Sequence, residues 1–141
     1  MRDAQSDMAW PEVYCDGPTL EEIAGHDGGV VVGYTFNPTL FRGLGVVDYS
    51  SHSRKVVEAC RGLPVSLEVF ADDEKGMIEQ AVKLSEFGDN VYVKIPITYT
   101  SGDSTVRVLE ELAGRGIKIN VTAVFSLEQT RGVLPVLRDS G

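Results

Sequence analysis

Short apolar runs alternate with amphipathic segments along this chain of 141 residues, and this alternation limits the possible folds more than any other feature. Each run has the length of a strand, whereas the apolar residues between the runs recur at helical spacing. The pattern predicts parallel strands joined by crossover helices, in one α/β domain covering residues 1–141. The five predicted strands span residues 12–16, 30–37, 65–70, 91–97 and 117–125.

Capping signals mark where some of the helices between these strands begin. Thr19 is followed three residues later by Glu22, and Ser126 by Gln129, which is the capping-box pattern of a helix start. We expect Pro135 to kink or shorten the last helix, because proline lacks a backbone N–H and clashes with the preceding turn. Further helices are predicted over residues 50–61, 72–88 and 106–113.

Charge and cysteine content argue against several classes of protein. The formal net charge of −8 disfavours nucleic acid or an anionic membrane as a partner. No apolar run approaches the roughly 20 residues that a membrane span needs, and the first residues lack the apolar core of a signal peptide. Cys15 and Cys60 belong to no closely spaced Cys/His cluster, so structural zinc is not expected. We therefore expect a cytoplasmic protein.

Polar side chains gather near the carboxyl ends of all five predicted strands. Because alternate residues of a strand face the same way, each strand can place its polar residues on one face of the sheet. Active sites of (βα)8 barrels and of open α/β sheets are built at this end of the strands. Any single member is as easily explained as a hydrogen-bonded residue at a strand end. Five strands in agreement indicate a site, made of Asp16, Thr35, Asn37, Glu68, Lys94, Asn120 and Thr122.

Lys94 interrupts the apolar run over residues 91–97 and is the strongest single indication of chemistry. An amine in low dielectric is favoured in its neutral form, and a neutral amine is a nucleophile toward carbonyl carbon. Nearby carboxylates such as Asp16 and Glu68 act in the opposite direction, since they stabilise the ammonium. Lysines also occur on edge strands and in buried ion pairs without any catalytic role. The sequence therefore suggests Schiff-base formation and leaves those structural roles open.

Five motifs, in order from about residue 12 to 132, resemble those of the transaldolase family. The resemblance implies a parallel (βα) repeat fold of TIM-barrel type, of which this chain supplies the first five βα units of a (βα)8 barrel. The motifs are Asp16 after Val-Tyr-Cys, Thr-Phe-Asn-Pro-Thr-Leu from Thr35, Glu68 in Val-Ser-Leu-Glu-Val, Lys94 in Val-Lys-Ile-Pro-Ile-Thr, and Asn-Val-Thr-Ala-Val-Phe-Ser from Asn120.

The resemblance also implies a role for each catalytic residue. Lys94 would attack a ketose carbonyl to form an imine, which serves as an electron sink when the neighbouring carbon–carbon bond breaks. Asp16 would act as the general acid/base at the C4 hydroxyl. Glu68 and Thr122 would hold the water that moves protons while the imine forms and hydrolyses.

The remaining site residues would bind substrate in this family. Asn37 and Asn120 would fix the hydroxyls of a dihydroxyacetone unit, with Thr35 and Ser126 in support. The implied activity is transfer of that unit between sugar phosphates, in carbohydrate metabolism through the pentose phosphate pathway. Neither a metal nor an organic cofactor is implied.

The sequence is also compatible with two other functions. A fructose-6-phosphate aldolase would use the same lysine without a second sugar as acceptor, but that branch of the family carries glutamine where this chain has Glu68. A non-catalytic half-barrel acting as a binding or assembly module is the alternative outside the enzymes.

Five strands do not close a barrel, so the first and fifth would have unpaired edges. The serine and arginine groups that hold the phosphate in this family belong to later strands. The chain could be a fragment, a natural short form, or a relative that has lost activity. We expect a second copy of the chain or a complementing chain to cover the open edges.

Overall fold

The computed structural model describes residues 11–26 and 29–139. Within them, five strands form a single parallel sheet whose spatial order equals the chain order. The strands are β1 (Val13–Asp16), β2 (Val31–Phe36), β3 (Val65–Glu68), β4 (Val91–Pro96) and β5 (Ile119–Thr122). The helices are α1 (Leu20–Gly25), α2 (Pro38–Gly43), α3 (Tyr49–Ala59), α4 (Glu74–Ser85), α5 (Val106–Gly114) and α6 (Leu127–Asp139). This curled half-barrel confirms the predicted fold.

Some boundaries of the strands and helices differ from those predicted from the sequence pattern. The predicted strand over 117–125 is too long: β5 stops at Thr122, and Ala123 follows with a φ of 59°, in the left-handed region. The helix α2 was not predicted, because Pro38 was taken only as the end of a strand. Proline is well suited to the first turn of a helix, and Asn37 caps this one. Of the two expected effects of Pro135, a kink or a shortened helix, shortening does not occur, since α6 continues past Pro135 to Asp139.

Both predicted capping boxes involve the expected atoms. The Thr19 hydroxyl accepts the Glu22 N–H at 3.1 Å, while the Glu22 carboxylate accepts the Thr19 N–H at 2.7 Å. At the start of α6, the Ser126 hydroxyl accepts the Gln129 N–H at 3.1 Å, and the Gln129 side-chain oxygen accepts the Ser126 N–H at 3.1 Å. Each box satisfies backbone donors that the helix itself leaves without partners.

The alternation along β4 shows how the sheet separates its two faces. Val91, Val93 and Ile95 are buried in the core between the sheet and the helices, whereas Tyr92 and Lys94 lie half-buried on the other face. We call that second face the inner face. Register and alternation place on it Tyr14, Asp16, Thr35, Ser66, Glu68, Tyr92, Lys94, Asn120 and Thr122.

The sheet has two open edges within the described residues. β1 pairs only with β2, and β5 pairs only with β4. Tyr14 on β1 is 45% exposed as a result. An unpaired strand presents a row of free backbone donors and acceptors, which another strand can satisfy. In the part of the chain that the structure describes, no helix combines the length and the apolar character needed to cross a membrane.

Candidate active site

Lys94 and Glu68 form an ion pair on the inner face. The register of β3 and β4 places the two residues directly opposite one another, and it places Asn120 of β5 opposite Lys94 on the other side. The Lys94 Nζ lies 3.7 Å from Glu68 Oε2. Only 11% of the Lys94 side chain and 19% of the Glu68 side chain are exposed. Both groups are therefore held near the carboxyl ends of their strands and largely shielded from water.

The Glu68 carboxyl is shifted toward its protonated form. Burial raises its pKa, which is the largest effect, and the charge of Asp16 raises it further. The charge of Lys94 and its hydrogen bond lower it, but the net shift is upward. A carboxyl whose pKa is raised in this way can give up a proton at a pH where an ordinary glutamate has none to give.

Asp16 and Thr35 meet across the first two strands. The Thr35 hydroxyl donates to Asp16 Oδ1 at 2.5 Å, and the Gly17 N–H donates to the Thr35 carbonyl at 2.8 Å. Asp16 is exposed, because β1 is an edge strand with nothing on its outer side among the described residues. Asp16 pairs with Thr35 of β2, and Thr35 pairs in turn with Ser66 of β3. Because Ser66 lies one inward-facing position before Glu68, Asp16 approaches the Lys94–Glu68 pair diagonally.

Asn120 has a partner that the sequence reading missed. Its side-chain nitrogen donates to the Ser66 hydroxyl at 3.0 Å, which links β5 to β3 across the inner face of β4. Ser66 is 5% exposed and lies two residues before Glu68, so strand alternation alone could have identified it. Thr122 follows one inward-facing position after Asn120 and is half-buried.

Asn37 and Ser126 both serve as helix caps. Asn37 Oδ1 accepts the Leu40 N–H at 2.8 Å and thereby starts α2, which leaves its side-chain NH2 group for another acceptor. Ser126 is exposed, and its hydroxyl is engaged by the Gln129 N–H. The structure therefore brings Lys94, Glu68 and Asn120 together on neighbouring strands, while it gives Ser126 a structural partner at the rim.

A cavity of about 600 Å³ opens at the carboxyl ends of β2, β3 and β4. Asn37 and Glu68 line it together with residues of the following loops. Those loops are tied to each other, since the Thr100 N–H and hydroxyl both donate to the Asp72 carboxylate, the N–H at 2.8 Å. The volume falls in the range of small-molecule sites.

A second cavity, of about 420 Å³, lies at the open edge of β5. Ser66, Tyr92 and Asn120 line it from the inner face, and Val133 lines it from α6. Within residues 11–26 and 29–139, no three His, Cys, Asp or Glu side chains cluster closely enough to hold a metal ion.

These features define a class of site: a shielded amine paired with a carboxyl, at the carboxyl ends of parallel strands in a barrel-type sheet. The chain belongs to the Transaldolase/Fructose-6-phosphate aldolase family, whose model matches residues 13–137. The resemblance read from the motifs is thereby confirmed.

Individual relatives agree with this assignment. The chain is 40% identical to a "Probable transaldolase" of Clostridioides difficile (strain 630) over 117 residues, which cover 82% of this chain and 51% of the relative. It is 38% identical over 117 residues to a "Probable transaldolase" of Exiguobacterium sp. (strain ATCC BAA-1283 / AT1b), covering 82% of this chain and 52% of the relative. The chain spans about half the length of these curated relatives.

Proposed function

We propose that this chain carries the Schiff-base part of a transaldolase-type site, with Lys94 as the nucleophile toward a ketose phosphate. The observation that carries the proposal is the shielded pair of Lys94 and Glu68, 3.7 Å apart on the inner face. A nucleophilic amine needs a nearby group that takes and returns protons. Glu68 fits that need, because its pKa is raised.

The proposed reaction begins with addition of the Lys94 amine to the ketose carbonyl. The carbonyl oxygen takes up protons and leaves as water, which gives a protonated imine. Asp16 then removes the proton of the C4 hydroxyl, and the electrons of the C3–C4 bond move into the imine nitrogen. An aldehyde departs and an enamine remains on Lys94. The enamine carbon then attacks an acceptor aldehyde, and water hydrolyses the new imine. No metal or organic cofactor takes part in these steps.

Substrate hydroxyls would be held by the polar groups around this pair. Asn37 lines the larger cavity together with Glu68, and its side-chain NH2 group is not used in capping. Asn120 donates to Ser66, which leaves its side-chain oxygen to accept a sugar hydroxyl. Thr35 holds Asp16, and Thr122 would share a water with Glu68. Ser126 would act indirectly, by fixing the start of α6.

A simple aldolase is the second candidate, because the family description covers fructose-6-phosphate aldolase as well. The carboxyl at Glu68 favours transfer over simple cleavage. A binding or assembly role is the third candidate, favoured by the open edges of β1 and β5 and by the exposure of Asp16. In each case we propose that a second copy or a complementing chain covers those edges in the cytoplasm.

Trapping with borohydride tests the nucleophile. Incubation with fructose 6-phosphate and borohydride should add the mass of the reduced sugar adduct to Lys94, as located by peptide mass spectrometry. Lys94→Met should abolish the adduct. Lys118→Met is the matched control, because Lys118 lies directly before β5 and its Nζ donates to the Asp89 carbonyl at 2.6 Å. Absence of any adduct across the accessible pH range would rule out the proposed nucleophile.

A coupled assay then separates the candidates. Product formation that requires erythrose 4-phosphate indicates transfer, whereas release of free dihydroxyacetone indicates simple cleavage. Correctly folded protein that traps no ketose and catalyses neither reaction would favour the binding or assembly role.

A further inference from the structure

The peptide bond between Glu68 and Val69 is held from both sides. The Tyr49 hydroxyl donates to the Glu68 carbonyl at 2.7 Å. The Val69 N–H donates to the carbonyl of Lys94 at 3.2 Å. One peptide plane is thus anchored to α3 through a side chain and to β4 through the backbone of the lysine itself. A plane fixed in this way also fixes ψ of Glu68, and with it the direction in which the Glu68 side chain leaves the strand.

Tyr49 is itself held firmly in place. It is the first residue of α3, directly after the cap formed by Asp48, whose carboxylate accepts the Ser51 N–H at 2.9 Å. Its ring packs against Phe41 and Phe70, with centroids 5.2 Å and 5.6 Å away. Burial raises the pKa of Tyr49, so the hydroxyl keeps its proton and remains a hydrogen-bond donor throughout the physiological range.

We propose that Tyr49 is a positioning residue, which sets the Glu68 carboxyl at its working distance from the Lys94 amine. The proposal rests on the proposed function in one respect, namely that Glu68 moves protons for Lys94. Tyr49 touches neither reacting group, because its hydroxyl reaches the Glu68 main chain and not the carboxyl. Its effect is therefore indirect, through the backbone that carries the carboxyl.

The electrostatic consequence follows from the charges that act on Glu68. These are the ammonium of Lys94 on β4, which lowers the pKa of Glu68, and the carboxylate of Asp16 on β1, which raises it. When the Glu68–Val69 peptide loses its anchor to Tyr49, the carboxyl samples positions farther from the ammonium. The attraction weakens with distance while burial persists, so the pKa of Glu68 should rise further.

Tyr49→Phe tests the proposal, because it removes the hydroxyl and keeps the ring packing. Carbon-13 NMR of the glutamate carboxyl carbons gives the titration midpoint of Glu68, assigned with the Glu68→Gln variant. We expect the midpoint to move up by on the order of half a pH unit. The same variant should slow borohydride trapping at Lys94 several-fold at saturating ketose, with little change in the ketose concentration that gives half the maximal rate.

Tyr34→Phe is the matched control. Tyr34 also uses its hydroxyl, which lies 3.1 Å from His26 Nδ1, but it is buried on the helix side of β2. Its loss should leave the Glu68 midpoint and the trapping rate unchanged. The NMR titration does not depend on Schiff-base chemistry, so failure of the proposed function, seen as no trapping in the unsubstituted protein, is distinguishable from failure of the Tyr49 proposal.

An upward shift of the Glu68 midpoint in Tyr49→Phe, absent in Tyr34→Phe, supports the positioning role. An unchanged midpoint in a folded Tyr49→Phe protein overturns it. If this variant loses its cooperative melt, the titration is repeated in trimethylamine N-oxide, which favours the folded state. A variant that stays unfolded even there would show that Tyr49 serves folding, and the positioning role would again be overturned.

Discussion

Asn120 of β5 reaches across the inner face of β4 and donates its side-chain N–H to the Ser66 hydroxyl of β3 at 3.0 Å. This hydrogen bond orients the Asn120 amide, so that its oxygen is presented in a fixed direction. It lies among the residues that line the smaller cavity, beside the open edge of the sheet. A substrate hydroxyl that donates to Asn120 would meet an acceptor already held in place.

The first prediction concerns this bond. Ser66→Ala should raise the ketose concentration for half-maximal trapping several-fold, because the amide loses its orientation, while the maximal trapping rate changes little. The stability cost should be about 1 kcal/mol, typical of one hydrogen bond. Ser85→Ala is the control: it removes a hydroxyl that donates to the Val82 carbonyl within α4, far from the inner face. Equal effects of the two variants on trapping would contradict the assigned role of Ser66.

The second prediction concerns the pH dependence of stability. The folded pKa of Glu68 is raised above that of an unfolded glutamate, about 4.3. Its contribution to stability is therefore fully present below that value and is lost as the pH rises through the folded pKa. Chemical denaturation across this window should show the unsubstituted protein losing stability relative to Glu68→Gln as the pH rises. Glu79→Gln, at an exposed position on α4, is the matched control for replacing a glutamate by glutamine. If the difference in the free energy of unfolding between the unsubstituted protein and Glu68→Gln does not change with pH, the raised pKa of Glu68 is contradicted.

The third prediction concerns the loops around the larger cavity. Hydrogen bonds from Thr100 lower the pKa of Asp72 below that of an ordinary aspartate. The stability that this carboxylate contributes is present above the pKa of an unfolded aspartate, about 3.9. It is lost as the pH falls through the lower pKa of Asp72 in the folded protein. Asp72→Asn should therefore reduce the acid dependence of unfolding and speed proteolytic cleavage near Thr100. Asp103→Asn, in the loop that carries Thr100, tests whether any charge loss there has the same effect. Cleavage that is equally fast in both variants would argue against a specific tie between the loops.

The fourth prediction concerns the backbone after β5. Ala123 adopts a φ of 59°, which costs a residue with a Cβ more than it costs glycine. Ala123→Gly should stabilise the fold by about 1 kcal/mol, as measured by chemical denaturation. Ala113→Gly lies within the helix α5 and should destabilise it by about the same amount. A destabilised Ala123→Gly protein would show that the left-handed conformation carries no strain.

The sequence predicted those features that depend on local pattern. Strand alternation placed Lys94 and Glu68 on one face, and the structure finds them directly opposite one another. The side-chain period of a strand is two, so a residue's face follows from its position once the strand is recognised. Capping boxes are equally local, and both were found with their expected hydrogen bonds.

Contacts between distant residues were beyond such reasoning. Tyr49 and Glu68 are far apart in sequence, and nothing near Tyr49 indicates that its hydroxyl will meet a strand carbonyl. The exposure of Asp16 depends on which strand lies at the sheet edge, which is a property of the whole sheet. Catalytic and binding roles of the individual site residues stay predictions until trapping and kinetics test them.

The agreement between spatial order and chain order in the sheet bears on how the molecule acquires its structure. Each strand from β2 onward pairs with its immediate predecessor in sequence, so every new pairing closes only the one connection between those two strands. The entropic cost of such loops stays modest and does not grow as the sheet widens. We expect folding to advance by stepwise addition along the chain, one parallel pairing at a time. The Lys94–Glu68 pair would then assemble at the third pairing step, before β5 is in place.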